Sequence, residues 1–394
     1  MHLRSLSLVV AFTSAVAAIA ACGDDPVSVP PPANDAGTSS PEASAPDTST
    51  PPPEDATTDA KNPAFEAIDA AIEDSRKKAA VDGGPPPALA FALYDKGERL
   101  VFSKEYGGFK TSDRVAVASA SKIVSGLVLF SLVGKGLLTL DSTTGAVLGW
   151  PAPKDQITLR HLLSFTSGLP PEAPCTANPA TTLEACVGTI AALDPDAAPG
   201  TRYDYGSTHL HVAARMAEVV TGKTWNTLFD ELVRVPLGLP AEVAYFTAPR
   251  QSIGKQNPLV AGGLRASMDE YTKILTAIYA RGEGAVKAPT TLFDLQMVEP
   301  YPGVVVGNSP VKSLGYDFRY GLTAWLECKT PATGCATISS PGAFGFTPWL
   351  DRKVGYTAIL GMQLEREGAA SGVVGFAVDL EQRLEPLLPA ALGR

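Results

Sequence analysis

The spacing of apolar residues predicts a helix where the ordered part of the chain begins. Asn62 and Pro63 are typical of a helix start, because asparagine caps free backbone N–H groups and proline suits the first turn. Phe65, Ile68 and Ile72 then recur at helical spacing and form one apolar face. A last helix is predicted near the chain end from the apolar positions Val373, Phe376, Ala377, Leu380 and Leu384.

Two pairs of apolar runs predict β-hairpins near the two ends of the chain. Runs 88–94 and 99–103 are separated by a short polar turn, and runs 343–350 and 354–362 are separated by three charged residues. Because proline cannot donate a hydrogen bond to a neighbouring strand, Pro348 predicts that the strand carrying it lies at a sheet edge or a bulge.

The pattern as a whole predicts an α/β fold of the α+β type. Between the two strand-rich ends, residues 115–290 are mostly helical by periodicity, and no internal repeat is visible. We therefore expect one antiparallel sheet built from both chain ends and flanked by the terminal helices, with a mainly helical lobe inserted between them.

The first 22 residues follow a different pattern, which is typical of an export signal. Arg4 precedes the apolar run 6–21, which is short and rich in alanine for a membrane span. The run ends in Ile-Ala-Ala-Cys at 19–22, which resembles the lipobox of bacterial lipoproteins. That resemblance implies cleavage before Cys22, a diacylglycerol on it, and anchoring to the bacterial cell envelope on its periplasmic or extracellular face. Ordinary secretion is the alternative.

Residues 23–61 predict a disordered tether. They are mostly proline, alanine, serine, threonine and acidic residues without any aromatic side chain, so they cannot bury enough apolar area to offset the entropy of ordering. An unprocessed pro-segment is the alternative. The remaining residues, 62–394, are expected to form one domain.

Charge and composition exclude several classes of function. The formal charge of the 394-residue chain is −9, of which residues 62–394 carry only −3. This balance argues against a nucleic-acid partner, since such proteins carry a surplus of lysine and arginine. With four histidines, five cysteines and no HExxH or paired CxxC motif, we expect no metal centre. No glycine-rich phosphate loop is present, and we expect no cofactor.

Four cysteines follow Cys22 and fall into two close pairs. Cys175 is near Cys186, and Cys328 is near Cys335. Of the three pairings that four cysteines allow, the two local bridges are favoured in an exported protein; four free thiols are the alternative.

One serine and one lysine form the strongest candidate for catalysis. The pattern S-x-x-K occurs four times, at Ser75, Ser119, Ser252 and Ser309, but only Ser119 opens an apolar helix. At positions i and i+3, the Ser119 hydroxyl and the Lys122 amine share a helix face. Burial disfavours the charged form of lysine, so a buried amine can activate a serine hydroxyl. A serine cap with a lysine directed to solvent is the alternative.

Two further motifs follow in order along the chain. Tyr205-Gly206-Ser207 is the only Y-x-[SN] sequence and precedes a helix predicted over 209–220, while Ser340-Pro341-Gly342 begins the second hairpin. The order of the three motifs resembles the serine beta-lactamase and penicillin-binding-protein superfamily. Within it the chain looks most like the class C beta-lactamase and DD-peptidase-like branch, which includes esterases. The resemblance covers roughly 63–390, and its supporting stretches are 158–170, 236–238 and 262–264.

This resemblance implies a role for each motif residue. Ser119 would be the acylated nucleophile, Lys122 its base, and Tyr205 the proton shuttle to the leaving group. Ser207 would orient the substrate. The backbone N–H groups of Ser119 and Ala343 would form the oxyanion hole, which stabilises charge on the carbonyl oxygen in the transition state.

The chain departs from the superfamily pattern at the substrate-binding positions. Ser207 stands where that branch usually has asparagine, and Ser340 stands where the family usually has lysine or histidine. Ser340 and Gly342 are still assigned to substrate binding, but the missing cation weakens recognition of a substrate carboxylate. No G-x-S-x-G motif is present, which argues against an α/β-hydrolase. Packing or capping roles are expected for Phe165, His161, His209 and His211.

The sequence therefore predicts an exported, lipid-anchored serine hydrolase that acts through an acyl-enzyme on an ester, amide or lactam, with esters preferred. Its partners would be a small-molecule or cell-wall-derived acyl substrate and, through the lipid on Cys22, a membrane. A beta-lactamase or DD-carboxypeptidase is the alternative within the superfamily. A non-catalytic binding or scaffold protein with this fold is the alternative of another class.

Overall fold

A computed structural model describes residues 62–80, 84–247, 253–328, 331–364 and 370–394. The predicted signal peptide, Cys22 and the tether lie outside these residues, as does Ser252. Within the described ranges, none of the helices combines the length and the apolar character needed to cross a membrane.

The helices of the described residues range from one turn to four turns. They are α1 (Pro63–Lys78), α2 (Ser121–Gly134), α3 (Thr144–Leu148), α4 (Leu159–Leu163), α5 (Leu183–Ala192), α6 (Thr208–Thr221), α7 (Trp225–Phe229), α8 (Met268–Tyr279), α9 (Thr290–Gln296), α10 (Ala370–Leu384) and α11 (Leu388–Ala391).

The strands are longest near the two chain ends. They are β1 (Leu89–Asp95), β2 (Arg99–Tyr106), β3 (Val115–Ala116), β4 (Arg202–Tyr203), β5 (Ala244–Tyr245), β6 (Leu264–Ala266), β7 (Val305–Val306), β8 (Arg319–Tyr320), β9 (Trp325–Leu326), β10 (Thr337–Ser339), β11 (Thr347–Asp351) and β12 (Tyr356–Gly361).

A seven-stranded antiparallel sheet joins the two ends of the chain. Its strand order is β2-β1-β12-β11-β10-β9-β8, so β1 from the first hairpin pairs directly with β12 from the last. Phe91 lies opposite Leu360 in this register. The predicted fold class, with an antiparallel sheet drawn from both ends and a helical lobe between them, is confirmed.

The two faces of the sheet contribute to different cores because side chains alternate along each strand. In β1, Phe91 and Leu93 face the terminal helices, whereas Ala90 and Ala92 face the rest of the molecule. The core between the sheet and the terminal helices also contains the buried residues Ile68 and Ile72 of α1, Trp349 of β11, and Leu380 and Leu384 of α10.

The prediction for Pro348 is wrong, because β11 lies inside the sheet between β10 and β12. Strand β10 ends at Ser339, and the Ser340 N–H donates to the Pro348 carbonyl at 3.1 Å. The proline ring nitrogen therefore lies just beyond the end of β10, where no hydrogen bond between the two strands requires an N–H from residue 348. The predicted run 343–350 also starts too early, since residues 340–346 form the connection that leads into β11.

The inserted lobe, residues 115–290, holds helices α2 to α8 and a small antiparallel sheet of order β3-β6-β5. Helix α2 is buried on nearly every side; Leu127 and Phe130 are among its inaccessible side chains. The helix begins at Ser121, two residues later than predicted, so Ser119 lies in the preceding 3-10 turn, Ala118–Ala120.

Both local disulfides are present. Cys175 is bonded to Cys186, which ties the 3-10 turn Pro174–Ala177 to α5. Cys328 is bonded to Cys335 and closes the loop between β9 and β10. The predicted pairing is confirmed, and each bridge stabilises the folded chain by restricting the unfolded one.

Candidate active site

The turn that carries Ser119 is held against β6. The Val117 N–H donates to the Leu264 carbonyl at 3.1 Å, and the Leu264 N–H donates to the Ser121 hydroxyl at 3.0 Å. These bonds lie on either side of Ala118–Ala120 and fix the turn at the N-terminal end of α2. The Ser119 side chain remains partly exposed there.

Lys122 is the only ionisable side chain that is hydrogen-bonded to Ser119 within the described residues. Its Nζ lies 2.9 Å from Ser119 Oγ and donates to the Ala261 carbonyl at 2.8 Å. Only 3% of Lys122 is exposed. The alternative of a lysine directed to solvent is wrong, because the apolar surface of α2 is packed into the core and carries the lysine inward.

The other S-x-x-K serines are placed differently. Ser75 lies on α1 and accepts a hydrogen bond from Arg383 at 3.0 Å. In the part of the chain that the structure describes, no hydrogen bond joins Ser309 to Lys312. Ser252 lies outside the described residues. The geometry therefore favours Ser119 among the serines of this motif that can be compared.

Tyr205 lies directly beside this pair. The Lys122 Nζ is 4.7 Å from the centroid of the Tyr205 ring, a distance at which a cation is attracted to an aromatic face. The ring stacks on Trp325 with centroids 5.0 Å apart and meets Phe165 edge-on at 5.5 Å. The aromatic packing fixes the position of Tyr205 beside the amine.

The glycine in the Tyr-Gly-Ser motif permits a close backbone approach. A Cβ atom on Gly206 would lie 2.0 Å from the Pro171 carbonyl oxygen, so no side chain fits there. The Tyr205 N–H donates to the Asn308 carbonyl at 2.8 Å. The motif thus joins two loops that are distant in sequence, one around Pro171 and one around Asn308.

The three described histidines, His161, His209 and His211, are kept neutral by burial. His209 Nδ1 lies 2.8 Å from the Ser167 hydroxyl and Nε2 lies 2.8 Å from the Asp204 carbonyl, so Nε2–H donates and Nδ1 accepts. Burial lowers the pKa of His209 to about 4, and the nearby Lys122 charge acts in the same direction. Burial likewise lowers the pKa of His161 and of His211 to about 4. None of the described histidines bonds to Ser119.

A cleft of about 260 Å³ opens beside Ser119. It is lined by Ser119, Glu172, Tyr205, Asn308, Pro310, Val311, Ser313, Leu314, Trp325, Pro341, Ala343 and Val374. Glu172 is the only acidic residue of this wall, and no lysine, arginine or histidine is part of it. Glu172, Asn308 and Trp325 were not predicted, because single residues in separate loops leave no pattern in a sequence.

The segment after β10 supplies the opposite wall. A Cβ atom on Gly342 would lie 2.3 Å from the Val117 carbonyl oxygen, so the glycine permits close approach to the turn before Ser119. The Gly342 N–H donates to the Phe346 carbonyl at 2.8 Å. The Ala343 N–H has no acceptor among the described residues, and both Ala343 and Ser119 line the cleft. This arrangement is compatible with the predicted pair of oxyanion donors.

Two predicted substrate-binding serines lie behind the cleft wall. Ser340 is 3% exposed, and its hydroxyl donates to the Ser119 carbonyl at 3.0 Å. Ser207 donates to Glu172 Oε1 from its N–H at 3.0 Å and its hydroxyl at 3.3 Å. The structure therefore brings Ser119, Tyr205 and Ala343 to the cleft, whereas Ser207 and Ser340 hold residues that line it.

Comparison with known proteins gives a consistent result. A family model described as Beta-lactamase matches residues 78–372, which is more than half of the chain. Penicillin-binding protein 4 of Amycolatopsis lactamdurans is 28% identical over 187 residues, which are 43% of this chain and 49% of that protein. The match thus spans about half the length of this curated relative.

Solved structures share the fold over most of the chain. A protein from Bacteroides dorei DSM 17855, provisionally named a beta-lactamase, is 30% identical with a TM-score of 0.67, covering 82% of this chain and 98% of that one. EstCE1, a hydrolase with promiscuous acyltransferase activity, is 19% identical with a TM-score of 0.62, covering 80% and 99%. At that identity the second likeness shows the fold alone.

Proposed function

The chain belongs to the beta-lactamase family of serine hydrolases, and from this premise we propose that it hydrolyses esters through an acyl-enzyme formed on Ser119. The observation that carries the proposal is the 2.9 Å contact between Lys122 Nζ and Ser119 Oγ beside the cleft. A serine hydroxyl is a weak nucleophile until a neighbouring base removes its proton.

The proposed reaction has two steps. In its neutral form the Lys122 amine accepts the Ser119 proton while Oγ attacks the substrate carbonyl, and the backbone N–H groups of Ser119 and Ala343 bind the resulting oxyanion. Lys122 then passes this proton to Tyr205, which gives its own phenol proton to the leaving group as the carbon–oxygen bond breaks, so both side chains return to their starting states. Water then attacks the acyl-enzyme by the same route, which releases the acid and restores Ser119.

Two features support a preference for esters over beta-lactams. Ser340 stands where the superfamily usually has a lysine or histidine. It is buried and uncharged, and its hydroxyl already donates a hydrogen bond to the Ser119 carbonyl. The cleft wall also lacks a basic side chain within the described residues. A substrate carboxylate would therefore lose a charge-assisted hydrogen bond, typically worth about 1.5–3 kcal/mol.

We expect measurable hydrolysis of p-nitrophenyl acetate or butyrate and weak or absent hydrolysis of nitrocefin. The loss of the carboxylate contact corresponds to roughly tenfold to a hundredfold in rate. Steady-state kinetics on both substrates, with the Ser119→Ala protein as the blank, measures this preference. Fast nitrocefin hydrolysis with poor ester turnover would instead establish a beta-lactamase, and D-alanine release from a cell-wall pentapeptide would establish a DD-carboxypeptidase.

We also propose that the protein is exported and tethered to the bacterial cell envelope. The support is the lipobox-like sequence at 19–22, the composition of residues 23–61, and the two disulfides, which persist in oxidising compartments. In this arrangement the domain 62–394 would face small-molecule or cell-wall-derived acyl substrates outside the cytoplasm.

A further inference from the structure

The carboxylate of Glu172 is held in place at the cleft. Its Oε1 accepts hydrogen bonds from the N–H and the hydroxyl of Ser207, at 3.0 and 3.3 Å. Its other oxygen, Oε2, accepts none of the hydrogen bonds found among the described residues. Glu172 is exposed and belongs to the same cleft wall as Ser119 and Tyr205. Ser207 thus holds Oε1 in place, while Oε2 is available to a ligand.

The charge of Glu172 is not balanced by a neighbouring cation at the cleft surface. None of the ion pairs within the described ranges includes Glu172. The other residues that line the cleft are apolar or polar without a formal charge. Lys122 is buried beneath Ser119 and bonded to Ser119 Oγ and the Ala261 carbonyl. Lys312 is exposed and is not among the residues that line the cleft. The accessible electrostatic character of the cleft is therefore negative.

We propose that Glu172 determines substrate specificity by favouring acyl substrates that carry an ammonium group and disfavouring those that carry a carboxylate. This inference rests on the proposed ester hydrolysis. A fixed carboxylate attracts a cation in the cleft and repels an anion. The difference in kcat/KM between a cationic and an anionic substrate therefore has an attractive and a repulsive contribution. Ser207 acts here as a positioning residue, since both of its donors orient Glu172.

The test compares cationic esters with neutral isosteres of the same shape, and adds one anionic ester of similar acyl length. On the acyl side, p-nitrophenyl 4-(trimethylammonio)butanoate is compared with the neutral isostere p-nitrophenyl 5,5-dimethylhexanoate and with the anionic p-nitrophenyl hydrogen adipate. On the alcohol side, acetylthiocholine is compared with its neutral isostere 3,3-dimethylbutyl thioacetate. The two series show which part of the substrate lies against Glu172.

In one of the two series we expect kcat/KM for the cationic ester to exceed that of its neutral isostere by about fivefold to tenfold, where tenfold corresponds to about 1.4 kcal/mol. The adipate ester should fall below the neutral acyl ester. Glu172→Gln keeps an oxygen that can accept from Ser207 but removes the charge, so the cation-to-neutral ratio should fall to about one. Glu98→Gln, which removes the same charge from the exposed turn between β1 and β2, should retain the ratio.

Ionic strength gives a second readout that needs no variant. Because an exposed charge is screened by salt, the preference of the unmodified protein should weaken between 10 mM and about 500 mM sodium chloride. A purely structural role for Glu172 would leave the ratio independent of salt.

The outcomes separate this inference from the proposed function. If none of the esters is hydrolysed, the proposed function fails and this inference fails with it. If the neutral esters are hydrolysed but the cationic ones are not preferred in either series, this inference alone is overturned. A preference that persists in Glu172→Gln at low salt also overturns it, because the charge would then lie elsewhere.

Discussion

The Ser119→Ala protein is expected to lose p-nitrophenyl ester hydrolysis by about four orders of magnitude or more. Alanine has no hydroxyl to attack the carbonyl, and removal of a catalytic nucleophile leaves only the contribution of binding and oxyanion stabilisation. Ser119 is only partly buried and lies in a turn held by its neighbours, so the change should leave the fold intact. Steady-state ester hydrolysis and a thermal unfolding curve, measured on the same preparation, check both statements.

The other S-x-x-K serines provide matched controls. Ser75→Ala, Ser252→Ala and Ser309→Ala each remove one hydroxyl from the same sequence pattern without touching Ser119. Each should keep ester hydrolysis within about threefold of the unmodified protein, since the proposed mechanism uses none of these three hydroxyls. If Ser119→Ala kept most of its activity while one of these variants lost it, the nucleophile would be a different serine.

Replacement of Lys122 is expected to cause a loss of similar size. The amine is bonded to Ser119 Oγ, and a nucleophile and its base act as a unit, so removing either one costs about as much as removing both. Lys122→Met keeps a long apolar side chain in a position that is only 3% exposed and leaves less of a cavity than alanine. Lys122→Ala should be at least as inactive.

The loss of activity in Lys122→Met should appear in kcat and not in KM. Lys122 does not line the cleft, so Lys122→Met should lower kcat by several orders of magnitude while KM stays within about fivefold. Single-turnover kinetics should place the defect in acylation. Retention of more than about a tenth of kcat would show that another group is the base, and Tyr205, which lies next to the amine, would become the first candidate.

The parts of the fold that could be predicted are those with long, regular patterns. The terminal helices and the two hairpins each extend over several residues with one clear period, and the sheet joins them as expected. Strands β8, β9 and β10 were missed because two or three residues are too few to show alternation. Pro348 was misplaced because its position depends on where a neighbouring strand stops, which is a tertiary property.

The candidate site divides in the same way. Ser119, Lys122 and Tyr205 stand in local motifs, and the structure brings them together. The positions of Ser340 and Ser207 could not be predicted, since their hydroxyls bond to Ser119 and Glu172 across distant segments. Glu172 carries no local signal of a role, and only the folded chain places it beside Ser119.

Covalent labelling of the unmodified full-length protein tests the central claim most directly. A fluorophosphonate reacts with an activated serine hydroxyl, loses fluoride and leaves a stable phosphonyl ester, which peptide mass spectrometry locates. One adduct per chain is predicted, on the Ser119 oxygen, with loss of ester hydrolysis in proportion to labelling. A protein that hydrolyses esters but carries the adduct on another serine, or that remains fully active after complete labelling of Ser119, would contradict the account.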